Sequence, residues 1–436
     1  MKKRIYIKTF GCQMNVYDSD RMLDLVNKEY FLVSSPDNAD AILINTCHIR
    51  EKAAEKVYSE IGKYAYLKDS NKELKIIVAG CVAQAEGEAM LQRQPLIDAI
   101  IGPQMYQILP DILLDKLNFK KIFLDFDEEK KFQKLGFDRK KALMSSFITI
   151  QEGCDKFCSF CVVPFTRGAE FSRNVEDIVN EAKSLTDKGC KEIILLGQNV
   201  NAYHGIGKSN AQTSLAKLIQ ELEKIKKLDR ISYTTSHPND MTQDLIDLHG
   251  NSNKLNPYLH LPVQSGSDLI LKNMNRKYTR KKYLDVIEKI RKKIPDIAIS
   301  SDFIVGFPGE TKKDFKDTIK LIKEVKFAHS YSFKYSKRIG TKAYNVSCNL
   351  SEEEKDNRLQ ELQSILNDQK KCFNKTFLEK EVEVFLKGKA KKENQFRGTT
   401  KWMQTAIFEC NKNKVGDKVN LRIKKAFDNC LIGELI

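Results

Sequence analysis

A chain of 436 residues, 41% of them hydrophobic, is long enough for two or three domains with proper cores. No apolar run reaches membrane-spanning length, and the basic start Met1-Lys2-Lys3-Arg4 lacks the apolar stretch of a secretory signal, so no membrane partner and a cytoplasmic location are expected. The 74 basic and 58 acidic residues leave a net charge of +16, which favours polyanions such as nucleic acid, and eleven cysteines in a reducing compartment point to metal or chemistry rather than disulfides.

The first segment reads as an α/β unit. Ile5 to Thr9 is a predicted strand, followed by Gly11-Cys12 and a helix from about Tyr17 to Lys28. Asp40 to Thr46 is a second strand ending at Cys47, followed by a long helix from about Glu51 to Leu67. Lys75 to Gly80 is a third, ending at Cys81, and Asp98 to Gly102 a fourth. Alternating strands and helices imply right-handed crossovers and a parallel sheet, whose ligands gather at the carboxyl ends of the strands. Cys12, Cys47 and Cys81 all stand just past such ends. One buried cysteine there is ordinarily packing, but three at equivalent places point to a shared metal centre with one coordination site open. The charged stretch from Asp127 to Lys141 reads as a connector.

From Phe147 a β-then-α pattern repeats six times. The strands are Phe147 to Gln151, Glu192 to Leu196, Arg230 to Ser236, Tyr258 to Gln264, Ala298 to Gly306 and His329 to Tyr335. Helices lie between them at Asn174 to Lys188 (Asn174 as N-cap, Asp177 at the third position), Leu215 to Lys226, Gln243 to His249, Arg280 to Lys292 and Lys312 to Lys323. Six units imply an open or partial parallel β/α barrel, with its working residues at the carboxyl ends of the strands. The turns there carry Gly197, Gln198 and Asn199, then Ser236-His237-Pro238, Gln264-Ser265-Gly266-Ser267 and Gly306. Their amides, hydroxyls and close-approach glycines suit a polar cofactor, although each alone could be a turn; His237 could equally be a satisfied structural residue.

The turn after the first barrel strand is the densest chemical signal in the chain. Cys154, Cys158 and Cys161 follow a C-x3-C-x2-C spacing that lets one loop wrap one inorganic centre. Thiolates prefer zinc, copper(I) and iron–sulfur clusters, and a structural zinc site is normally closed by four protein ligands. No fourth ligand follows nearby; the next candidates are Cys190 and His204. Three thiolates on a four-iron cluster leave one iron open to a small molecule, whereas the alternative is an incomplete zinc knuckle.

A charged helix from about Ser351 to Lys371 leads to a small all-β region. Val382, Val384 and Leu386, then Val419, Leu421 and Ile423, alternate in period two along Glu381 to Leu386 and Lys418 to Ile423. Residues 373–436 hold 14 basic and 8 acidic side chains, net +6, with Phe396, Trp402 and Phe408 among them. A basic β-barrel carrying aromatic rings suits RNA, although Phe408 reads as core and Trp402 as either. Cys190, Cys348, Cys372, Cys410 and Cys430 read as ordinary thiols.

Taken together, these stretches resemble the radical S-adenosylmethionine (radical SAM) methylthiotransferases. The matching motifs are Thr9-Phe10-Gly11-Cys12-Gln13-Met14-Asn15, Asn45-Thr46-Cys47, Gly80-Cys81, Gly153-Cys154 through Arg167-Gly168, Leu196 through Val200, Leu261 through Ser267 and Asp302 through Glu310. The Gln13-Met14-Asn15 context is most similar to the bacterial branch acting on N6-dimethylallyladenosine in tRNA. The resemblance implies an N-terminal methylthiotransferase domain (1–120), a radical SAM core (140–370) and a C-terminal TRAM domain (373–436). It implies two 4Fe-4S clusters, one on Cys154, Cys158 and Cys161 that binds SAM and an auxiliary one on Cys12, Cys47 and Cys81. The implied reaction replaces the C2 hydrogen of the modified adenosine beside the anticodon, position 37, with a methylthio group. The implied partners are the tRNA anticodon loop, an electron donor and a sulfur source. The same chemistry on threonylcarbamoyladenosine or on a ribosomal protein, and a non-catalytic zinc-stabilised RNA-binding protein, remain as alternatives.

Overall fold

A computed structural model describes residues 2–47, 52–117, 121–140, 142–207, 210–392, 394–410 and 415–436. The N-terminal unit is a six-stranded parallel sheet. Its spatial order is Tyr30–Leu32, Lys3–Thr9, Ala41–Thr46, Lys75–Gly80, Ala99–Ile101 and Ile122–Phe123. The central strands are apolar throughout because helices cover both faces: Ile42, Ile44, Ile76 and Val78 pack to one side, Ala41, Leu43, Ile77 and Ala79 to the other. The edge strands, three and two residues long, are too short to stand out in the sequence, and the last lies beyond residue 120. The first helix starts earlier than its periodicity predicts, at Gln13–Val26 with Cys12 as its N-cap. The predicted Glu51-to-Leu67 helix is two helices, Lys52–Gly62 and Ala65–Ser70; its first residue lies outside the described residues.

The barrel is partial, as expected, and it is built in two halves. Ser145–Thr149, Glu192–Leu196 and Arg230–Tyr233 form one parallel sheet; Tyr258–His260, Ala298–Val305 and His329–Lys334 form another. Between the halves, Ile231 and Leu255 make an isolated parallel bridge. Ile193, Leu195, Ile231, Leu259, Ile299 and Phe303 pack beneath the surrounding helices. The opposite face of the first half, with Phe147, Ile194 and Leu196, packs against Met14 and Tyr17 of the N-terminal unit and Met403 of the C-terminal one. The other two units therefore close the interior of that half. Asn174 is the N-cap of Val175–Asp187 by backbone geometry, but its side chain makes no capping bond.

The stretch 127–141 is more than a connector. It contains the helix Glu128–Leu135, whose Lys131 is fully buried between the N-terminal unit and the barrel. Downstream, the helix Glu352–Lys375 is capped by Ser351, whose hydroxyl accepts from the Glu354 amide. It leads into a closed five-stranded barrel ordered Glu381–Lys389, Gln395–Thr400, Thr405–Glu409, Leu431–Leu435 and Lys418–Ala426. Phe408 is core, and Trp402 packs edge-on against Phe377 at 4.9 Å. Arg230 of the larger barrel anchors this unit: its guanidinium stacks on Phe385 at 3.8 Å and donates to the Glu383 side chain and to the carbonyls of Glu383 and Thr399.

Candidate metal centres and cofactor rim

Cys12, Cys47 and Cys81 follow three neighbouring strands of the N-terminal sheet, so the parallel register carries them to one edge. Gly11 makes the approach possible. Its φ is +112°, and a Cβ there would lie 2.1 Å from the Cys47 Cβ and 2.8 Å from its sulfur. Asn15, one turn into the helix, faces the Cys12 Sγ at 3.6 Å and donates to the carbonyls of Phe10 and Thr46, tying the two cysteine loops together. A hydrogen bond from Cys47 holds the Cys12 thiol down to about 6, with Arg167 adding to the effect against the cost of burial. Burial pushes the Cys81 thiol up, and Arg167 opposes it. Arg167 belongs to the barrel, closing the helix Val163–Arg167 that follows Cys161. The N-terminal thiols thus lie against the segment that carries the second triad.

That second triad sits on a loop held from several sides. Ser159 is bonded through its amide to Met274 O and through its hydroxyl to Asn273 O; the Asn275 amide donates to Phe157 O at 2.9 Å. Two donors point at sulfur: Arg276 Nη1 lies 3.4 Å from Cys158 Sγ, and the Val163 amide 3.5 Å from Cys161 Sγ. Burial pushes the Cys154 thiol up to about 11 and the Cys161 thiol up to about 12, with the neighbouring Cys158 adding to both. Buried thiols of this kind become thiolates when a metal centre supplies the balancing charge. Among the described residues, no three Cys, His, Asp or Glu groups are drawn in as a single metal ion would require.

The rim beside this loop is wired to it. Gln151, at the end of the first barrel strand, donates to Gly153 O and accepts from the amides of Gln198 and Asn199. Gly197 must be small because a Cβ would fall 2.6 Å from the Gln151 Oε1. Asp240 joins Asn199 Nδ2 and Lys156 Nζ, each at 2.8 Å, linking the cysteine loop to two later turns. Several polar atoms here are buried with no hydrogen-bond partner among the described residues: Gln198 Oε1, Asn199 Oδ1, Ser236 Oγ and His237 Nε2. The His237 Nδ1 accepts from the Asn239 amide, so Nε2 carries the proton, and burial together with Arg276, Lys156 and Lys282 holds the ring's pKa down to about 2. Unsatisfied buried groups cost free energy, and four on one rim fit a polar ligand that satisfies them. Phe157, Thr235 and Gln264 also hold left-handed backbone here, a strain that clusters at binding sites.

Not every sequence-predicted rim residue offers a free group. Ser265 is fully buried and its hydroxyl pairs with Thr318, so it supports its turn. Gly306 gives its amide to Glu310 Oε2 and lies under the Lys355 side chain. Gln264 bridges to Phe303 on the neighbouring strand. Sequence reasoning passed over Gln151, Asp240, Arg276 and Arg167 as separate site residues. Arg167 belongs to a motif named above, but no local pattern marks the others, whose contacts to the cysteine loop or the later turns span 40 or more residues: Gln151 to Gln198 and Asn199, Asp240 to Asn199 and Lys156, Arg276 to Cys158. Of the remaining cysteines, Cys190 is buried with its thiol 3.1 Å from Glu192 O.

A profile of the radical SAM superfamily matches residues 148–322, and one described as Uncharacterized protein family UPF0004 matches residues 4–102. The chain is 51% identical over 438 residues to the tRNA-2-methylthio-N(6)-dimethylallyladenosine synthase of Ruegeria sp. (strain TM1040), covering 100% of this chain and 99% of the relative. The chain belongs to this synthase family. The synthase from Rickettsia bellii (strain RML369-C) is 50% identical over 444 residues, covering both chains completely. Among solved structures, the radical SAM methyltransferase TsrM from Kitasatospora setae aligns with a TM-score of 0.58 at 11% identity, over 79% of this chain and 74% of its own. The cobalamin-dependent radical enzyme OxsB aligns at 0.54 and 14% identity, over 84% and 56%. With these two the chain shares a fold over most of its length. No described helix of the chain is long and apolar enough to cross a membrane.

Proposed function

We propose that this protein methylthiolates C2 of N6-dimethylallyladenosine at position 37, beside the anticodon of tRNA. The observation that carries the reading is the full-length 51% identity to a synthase of that name, in a chain where Cys81 opens a helix packed against the Val163–Arg167 helix that follows Cys161. Cys154, Cys158 and Cys161 would hold a SAM-binding 4Fe-4S cluster; Cys12, Cys47 and Cys81 would hold an auxiliary one. When bound, the first cluster would supply the electron that cleaves SAM to a carbon radical and the second would carry the sulfur, while a second SAM would supply the methyl group that replacement of an unactivated aromatic C–H by methylthio demands. The chain's own residues do the rest. Arg276 and the Val163 amide donate to the sulfurs of the barrel triad. The unpaired atoms of Gln198, Asn199, Ser236 and His237 are ready for the polar groups of SAM. Met14, Phe147, Ile194 and Leu196 keep water from the interior of the first half-barrel. The net charge of +16 and the basic C-terminal barrel favour an RNA substrate, and a base beside the anticodon leaves its stack more cheaply than one in a duplex.

The test is mass spectrometry of tRNA nucleosides from the host lacking this gene. Disappearance of 2-methylthio-N6-dimethylallyladenosine, with its unthiolated precursor accumulating, is expected; an unchanged level overturns the assignment. Iron analysis of anaerobically purified protein tests the cofactors, with about eight irons per chain expected from two cubane clusters.

A further inference from the structure

Four charged side chains are sealed where the N-terminal unit meets the barrel. Lys131 Nζ lies 2.6 Å from Glu152 Oε1 and 3.8 Å from Asp18 Oδ1, while Arg167 Nη2 lies 2.8 Å from Asp18 Oδ2. Tyr106 donates to Asp18, and Gln104 Nε2 to the Arg167 carbonyl at 2.9 Å. Two cations meet two carboxylates, so the quartet is electrically balanced. Its hydrogen bonding is not. Among the described residues, Arg167 Nη1 is 3.6 Å from Glu152 Oε1 and has no hydrogen-bond partner, although Arg167 is only 2% exposed. The helix that Arg167 closes packs against the helix that Cys81 opens, so the same guanidinium lies on the side of the N-terminal thiols and favours their charged forms. A buried guanidinium N–H left over beside a sulfur is costly unless that sulfur carries negative charge in the working molecule.

We propose that Arg167, supplied by the barrel, is the positioning residue that sets the electron affinity of the auxiliary iron–sulfur centre on the N-terminal unit. This rests on Cys12, Cys47 and Cys81 holding such a centre. Hydrogen bonds to cluster sulfurs and nearby charge are what tune a cluster's potential. A fixed guanidinium favours the more negative, reduced form and therefore raises the potential. Asp18, paired with the same group, works in the opposite direction. Because Arg167 ends the helix that follows the SAM-cluster loop, the barrel reaches across and tunes its neighbour's centre.

The test uses the full chain with Cys154, Cys158 and Cys161 all changed to Ala, so that only the N-terminal centre remains, reconstituted anaerobically. Iron content and midpoint potential, followed by electron paramagnetic resonance, are the readouts. The parent is expected to bind about four irons. Adding Arg167→Gln should make reduction at least tenfold less favourable, about 59 mV lower for one electron. Arg167→Lys should recover part of that loss, and Asp18→Asn, which leaves the guanidinium in place, should raise the potential. A parent that holds no iron overturns the two-centre reading itself. A parent that holds iron, with Arg167→Gln at the parental potential, overturns the role of Arg167. If Arg167→Gln loses its iron, Asp18→Asn decides, and an unchanged or lower potential there overturns the proposal.

Discussion

Gly11 is the residue on which the N-terminal site turns. Its left-handed φ and the 2.1 Å approach to Cys47 leave no room for a methyl group. Gly11→Ala should cost roughly 1–3 kcal/mol in local strain and displace Cys12 from Cys47. The expected outcome is loss of iron from the N-terminal centre with the barrel centre retained, measured by iron content in the two single-centre backgrounds. The cysteines separate in the same way. Cys158→Ala should abolish reductive SAM cleavage, assayed as 5′-deoxyadenosine. Cys47→Ala should leave that cleavage measurable while stopping sulfur insertion into tRNA, and equal loss of both activities would count against two separate roles.

The helix Val175–Asp187 shows how one element ties the barrel to the N-terminal unit. Its Glu181, fully buried, accepts from Arg173 at 2.8 Å and Arg139 at 3.1 Å and meets the Tyr17 hydroxyl at 3.4 Å. Burial alone would raise the Glu181 pKa, but Arg173, Arg21 and Arg139 outweigh it and hold the carboxyl below the usual 4.5. A carboxyl depressed in the fold contributes stability that is present above its unfolded value and lost as pH falls through its folded one. Acid unfolding should therefore steepen below pH 4.5. Glu181→Ala leaves the Arg173 and Arg139 guanidinium groups without their shared anion and should cost about 3–5 kcal/mol, read by chemical denaturation at neutral pH, while flattening that acid limb.

At the scale of the whole molecule, three units are packed together through specific buried contacts. Arg230 is the pin of the C-terminal barrel, and Arg230→Ala removes both its stacking on Phe385 and its bonds to Glu383 and Thr399. Limited proteolysis should then cut at the exposed stretch around Leu378 and Glu379, and tRNA affinity should fall roughly tenfold while SAM cleavage without tRNA persists. Affinity for tRNA should also fall steeply with salt, as expected for a protein of net charge +16 on a polyanion.

Periodicity is sufficient for the central strands and the six β/α units, and spacing singles out both cysteine triads. Apolar runs such as Ala41–Thr46 and the C-x3-C-x2-C loop are local patterns, complete within a few residues. The short strands Tyr30–Leu32 and Ile122–Phe123, the helix at Glu128–Leu135 and three of the five C-terminal strands escaped notice. Their stability comes from neighbours distant in the chain rather than from their own composition. The same holds for the site. The chain order names the six cysteines and the turns at Gly197–Asn199 and Ser236, because chemistry and turn geometry are written in residue type. Folding alone brings Arg167 to Cys81, Asp240 between Lys156 and Asn199, and Gln151 beneath Gly197, because a buried charge or amide finds its partner in space and leaves no spacing in the sequence to mark it.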